Sequence, residues 1–124
     1  MLDLIIKNGS CYIDKDLKDQ DIAIKNGKII KIGKIESEAK EIFDAKGLTV
    51  LPGCIDTQTH FREPGSTDTE DLHSGSRAAI VGGITSVFEM PNTNPPTSTK
   101  AEFQKKLDLA KNRMYCNYAF YFGA

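Results

Sequence analysis

Cysteine is scarce in this chain of 124 residues, and the three present, Cys11, Cys54 and Cys116, are widely spaced with no C-x-x-C pair. That arrangement excludes a disulfide framework and a structural zinc knuckle, and it fits a reducing, cytosolic setting. A basic stripe is also missing: 16 Lys and Arg stand against 17 Asp and Glu, with the lysines scattered. Binding to nucleic acid or a membrane surface through net charge is therefore not expected. Met1–Lys7 has neither the basic start nor the long apolar core of a signal peptide, and no later run is long enough to span a bilayer. Low-complexity tracts are absent, and the 40% apolar content suits one small folded domain rather than disorder.

What is present divides at Pro52. Before it the sequence reads as strands only. Leu2–Lys7 is a β-prone run that Asn8-Gly9 could close, with Ser10–Ile13 returning from the turn. In a stronger hairpin, Ile22 and Ile24 alternate with polar or small residues, Asn26-Gly27 supplies a tight turn, and Ile30 and Ile32 return. Ile42-Phe43 and Leu48–Leu51 are further short apolar runs.

After Pro52 the pattern becomes strand, helix, strand, helix, strand. Strands are expected at Cys54–Thr59, Ile84–Met90 and Tyr115–Phe122, starting roughly thirty residues apart, the size of a βαβ unit. Thr67 and Glu70 have capping-box spacing ahead of a helical face of Leu72, Ser76, Ala79 and Ile80, which Gly82-Gly83 ends. Thr99 and Glu102 repeat that spacing ahead of Phe103, Leu107, Ala110 and Met114. Three such units do not close an eight-stranded barrel, which takes about 250 residues, so the chain reads as a piece of a longer protein.

The stretch Leu51–Gly65 concentrates the chemistry. Side chains alternate across a strand, so Asp56, Gln58, His60 and, if the chain stays extended, Arg62 share one face. A polar face at a strand end that feeds a loop and then a helix is where a parallel α/β barrel carries its site. His60 alone is more often a hydrogen-bonded structural histidine than a ligand, since metal sites require several ligands. Arg62 offers a planar fork for a carboxylate, or is a surface charge. Asn92, after the next strand, could donate to the same anion or be a turn residue among prolines. Glu89 reads as paired or solvated, and His73 as a surface residue.

The string from Pro52 to Gly65, containing Asp56, Gln58, His60, Phe61-Arg62-Glu63-Pro64, together with Glu89-Met90-Pro91-Asn92-Thr93-Asn94-Pro95, resembles the N-terminal part of a dihydroorotase of the amidohydrolase superfamily. The resemblance covers essentially the whole chain. It implies an α/β fold: the N-terminal part of a composite β-sandwich over residues 1–52, then the first three strands and two helices of a (β/α)8 amidohydrolase barrel over residues 53–124. It further implies a cytoplasmic, zinc-dependent hydrolase, with one or two ions, that interconverts dihydroorotate and N-carbamoyl-aspartate in pyrimidine synthesis. His60 would ligate metal, Gln58 would stand where the family usually places a second histidine, and Arg62 and Asn92 would hold the substrate carboxylate. No catalytic acid or base falls within this chain, so alone it is expected to be inactive and weakly stable. A homo-oligomer, or an assembly with aspartate transcarbamoylase, is the expected partner state. Two alternatives accompany this expectation. A hydantoinase or allantoinase would act on a related ring, and Gln58 also suits an inactive structural partner of aspartate transcarbamoylase.

Overall fold

Alternating isoleucines and three tight turns shape the first part of the chain in the computed structural model, which describes residues 1–123. The chain separates into two compact units, Met1–Pro52 and Gly53–Ala124. In the first, β1 (Leu2–Ile13), β2 (Asp16–Lys25), β3 (Lys28–Gly33) and β4 (Ala39–Asp44) form a sheet in the order β3-β2-β1-β4, and the short β5 (Thr49–Val50) also pairs with β1. The Asn26-Gly27 hairpin forms as expected, with φ of 51° and 71° at its two turn residues.

Asn8-Gly9 does not turn the chain. Leu2–Ile13 is one strand, and the register against β2 slips between Ile6 and Gly9, with Asn8 at φ 61°. A bulge accommodates the positive φ that otherwise signals a turn. Glycine is required at position 9 because a Cβ there would meet Val50 Cγ2 at 2.6 Å and Ala45 Cβ at 3.1 Å. The actual reversal is at Asp14-Lys15, both left-handed at φ 53° and 67°. Ile5, Ala23 and Ile35 form the buried centre of this unit, flanked by Leu2 and Ala39.

In the second unit β6 (Cys54–Thr59), β7 (Ile84–Glu89) and β8 (Asn117–Phe120) are parallel and adjacent in chain order, joined by α1 (Leu72–Val81) and α2 (Lys100–Ala110). Phe61, Leu72, Val87, Ala110 and Cys116 bury one another between sheet and helices. α1 starts later than the Thr67 spacing predicts. Its cap is Asp71, which accepts from the Ser74 amide at 2.6 Å while the Ser74 hydroxyl accepts from the Asp71 amide at 3.1 Å. Ser66–Thr69 instead closes a turn ahead of it. Gly82 ends α1 as expected, and Thr99 caps α2 by accepting from the Glu102 amide at 3.2 Å. The third strand begins two residues later than expected, at Asn117.

The buried faces also differ from the predicted stripes. α1 buries Leu72, Gly75 and Ser76, leaving Ile80 40% exposed, and α2 buries Lys106 with Ala110. Among the described residues no helix is long and apolar enough to cross a membrane.

Gly75 lets α1 approach the ring of Phe61, where a Cβ would lie 2.5 Å from Cδ1. Gly75→Ala should therefore lower stability by about 1–3 kcal/mol through overpacking, despite alanine's better helix propensity. Chemical denaturation of the whole protein measures this, and a stabilised variant would show that Phe61 is free to move aside.

Candidate functional site

Phe61 anchors the site by burying itself, and its neighbours His60 and Arg62 are exposed on the other side of the chain. The alternation begun in β6 thus continues past its last residue. His60, Arg62 and Asn92 line one cavity of about 140 Å³, together with Ser66 and Asn94. The three residues that the sequence nominated are therefore brought together. Gln58 is not among the residues lining that cavity. It is exposed, and its amide donates to Asp56 Oδ1 at 2.9 Å, a local turn that interrupts the pairing with β7 between Asp56 and Thr59.

The β6 and β7 loops are tied by backbone bonds. The Met90 amide donates to the Thr59 carbonyl at 2.9 Å, and the Asn94 amide to the Pro64 carbonyl at 3.0 Å. Gly65, at φ 127°, leaves room for Asn94, whose Cβ would lie 3.0 Å from a Cβ added there. His60 Nδ1 lies 2.9 Å from Asn92 Oδ1. An amide oxygen only accepts, so Nδ1–H is the donor in this contact. The amide nitrogen of Asn92 remains available to an anion.

Sequence reasoning missed Glu63. Its carboxylate accepts from both terminal nitrogens of Arg113, at 2.8 and 3.0 Å, and from the Leu72 amide at 3.0 Å. These contacts bind the loop to α1 and to the segment after α2, and the hydrogen bonds that Arg113 donates to Glu63 raise its guanidinium above its ordinary value. Asp71 is 3.6 Å from the same guanidinium. The acid beside Arg62 is thus engaged elsewhere, and Arg62 has no ion pair among the described residues. His73, read as a solvated surface residue, is exposed but meets the Tyr115 hydroxyl at 3.1 Å.

The model of the amidohydrolase family matches residues 49–123. The chain belongs to the amidohydrolase family. The allantoinase of Escherichia coli strain K12 is 46% identical over 113 residues, covering 90% of this chain and 25% of that protein. The L-hydantoinase (dihydropyrimidinase) structure from Arthrobacter aurescens superposes with a TM-score of 0.90 at 34% identity, covering 99% of this chain and 28% of that one. A D-hydantoinase from Thermus sp. gives 0.81 at 30% identity, covering 98% and 27%. The chain thus spans about a quarter of the length of these relatives and supplies the opening strands and helices of an amidohydrolase barrel domain. These allantoinase and hydantoinase relatives establish the family and do not single out a dihydroorotase within it.

Zinc in an amidohydrolase needs three or more protein ligands. Among the described residues no three of His, Cys, Asp and Glu come together as a metal site. His60 has the right donor, but the residues present do not make up a centre, and no chemical step is assigned to one.

Glu89, at the end of β7, is completely buried, and so is Lys106, whose amine lies 3.4 Å away. Glu89 is therefore paired, one of the two roles expected for it. Removal from water pushes its carboxyl up to about 7, although the amine acts in the opposite direction, and among the described residues Oε2 has no partner. A carboxyl raised from 4.5 in the unfolded chain binds more protons folded than unfolded across that window, so its contribution to stability falls as pH rises from 4.5 to about 7. Glu89→Gln should flatten this slope, which melting temperatures of wild type and variant across that range would reveal. Parallel curves would refute it.

Proposed function

We propose that the protein hydrolyses the amide bond of a cyclic amide, with His60, Arg62 and Asn92 facing the ring. The observation that carries the reading is the convergence of these three side chains on one cavity at the ends of adjacent parallel strands. Family membership and the allantoinase and hydantoinase relatives support a ring of that class. The first unit, Met1–Pro52, would then be part of a β-sandwich completed from elsewhere in the protein. In this reading Arg62 and Asn92 bind and orient the ring; the acid and base of the reaction lie outside these residues.

The finer reading is dihydroorotate, and Arg62 favours it. A guanidinium whose neighbouring acid is already engaged by Arg113 is available to pair with a carboxylate, which dihydroorotate carries and hydantoin lacks. The test is turnover of allantoin, hydantoin and dihydroorotate by the whole protein. Arg62→Met should cost roughly 2–5 kcal/mol of transition-state stabilisation on a ring bearing a carboxylate, and much less on a neutral ring. Undiminished turnover of dihydroorotate by the variant would remove Arg62 from the reading, and failure of the wild type on all three rings would remove the hydrolase.

Zinc is part of this proposal, with His60 contributing a ligand and Gln58 at most a weak one, because an amide oxygen binds zinc less well than an imidazole. Metal analysis of the whole protein should find higher zinc occupancy in Gln58→His than in wild type. A wild type and variant both free of metal and inert would favour instead a structural partner of aspartate transcarbamoylase.

A further inference from the structure

Lys106 stands where the helical pattern of α2 leads one to expect an apolar residue, and it is completely buried. Its amine has three neighbours. Glu89 Oε1 lies at 3.4 Å, the carbonyl of Met90 at 3.1 Å, and the centroid of the Phe120 ring at 5.3 Å. The carboxylate contact is long for a charge-assisted bond, whereas the carbonyl contact has an ordinary length. An amine donates to a carbonyl whether charged or neutral, so this contact does not depend on the ionisation of the pair.

Met90 begins the loop that carries Asn92. Its amide is held by the Thr59 carbonyl at 2.9 Å, directly before His60, so Thr59 and Lys106 satisfy both of its backbone polar groups. Two residues on, Asn92 Oδ1 reaches His60 Nδ1 at 2.9 Å. We propose that Lys106 is a positioning residue: by holding the Met90 carbonyl it sets the Pro91-Asn92 turn, so that Asn92 Oδ1 stays seated on Nδ1–H of His60. Its consequence for turnover rests on the ring-hydrolase reading; the state of the imidazole does not.

The imidazole of His60 can be read directly by nitrogen NMR on the whole protein labelled at histidine, before and after chelator treatment, at mildly alkaline pH. Loss of the signal in His60→Gln assigns it. Wild type should show the Nδ1-protonated form after chelation. Glu89→Gln, which keeps the lysine, should show the same. Lys106→Met combined with Glu89→Leu removes both buried polar groups and leaves no charge stranded, an exchange that proteins generally tolerate. That double variant should lose the tautomer preference, and kcat/KM on the ring substrate should fall about 10- to 100-fold, the usual loss when a group supporting a functional histidine is removed. An Nε2-protonated His60 in wild type would overturn the proposal, as would a double variant with the wild-type spectrum. If the protein opens no ring, the NMR comparison still decides the matter, and if the double variant does not fold, Lys106→Leu combined with Glu89→Gln replaces it, a wild-type spectrum there likewise overturning the proposal.

Discussion

Parallel pairing of β6 with β7 is the constraint on which the site depends. It ends with the Met90 amide on the Thr59 carbonyl at 2.9 Å, which fixes the height at which the two loops leave the sheet. One residue past Thr59 comes His60, and two past Met90 comes Asn92, so a single backbone bond sets their separation. Phe61 secures the β6 side by burial against Leu72 and Val87. Slipping this register by one residue would turn His60 and Arg62 toward that core and expose Phe61.

Around this pairing, two acids are neutralised by cations from the second helix and the segment after it. Glu63 is gripped by Arg113, and Glu89 faces Lys106. Each acid lies next to or near a residue of the cavity, and left unpaired it would compete for Arg62 or repel an anionic ring. The two pairs differ in kind. Glu63 accepts three hydrogen bonds with good geometry, whereas Glu89 has one long contact and an orphan oxygen, and its carboxyl shows the cost of removal from water. The first is a fastening between loop and helices. The second places a donor beneath the loop of Asn92.

Among the described residues no carboxylate lines the cavity, so neither Arg62 nor Asn92 meets an acid there. Arg62 lines the cavity with no ion pair among the described residues, while Asn92 Oδ1 accepts from His60 Nδ1.

Much of this was legible in the residues themselves. Asn26-Gly27 demanded positive φ at two successive positions, Gly82 stopped α1, Thr99 capped α2, and the alternation past Thr59 put His60 and Arg62 on one exposed side of the strand end. These are local properties, determined by backbone sterics and side-chain direction over a few residues. The strings containing His60 and Asn92 placed the chain in its superfamily, but they did not single out the ring it acts on, because barrel relatives share the scaffold. Asn8-Gly9 misled because a positive φ serves a bulge as well as a turn, and only the approach of Val50 and Ala45 decides between them. Thr67-x-x-Glu70 misled because Asp71-x-x-Ser74 offers an equivalent cap, and the Glu63 carboxylate on the Leu72 amide selects it. Lys106 and Arg113 could not be read at all, since their partners lie 17 and 50 residues away. The sequence by itself determined the turns, the caps and the polar face. Tertiary structure decided which charges are buried and paired, because burial and pairing are properties of the neighbours that folding brings together and not of the residue.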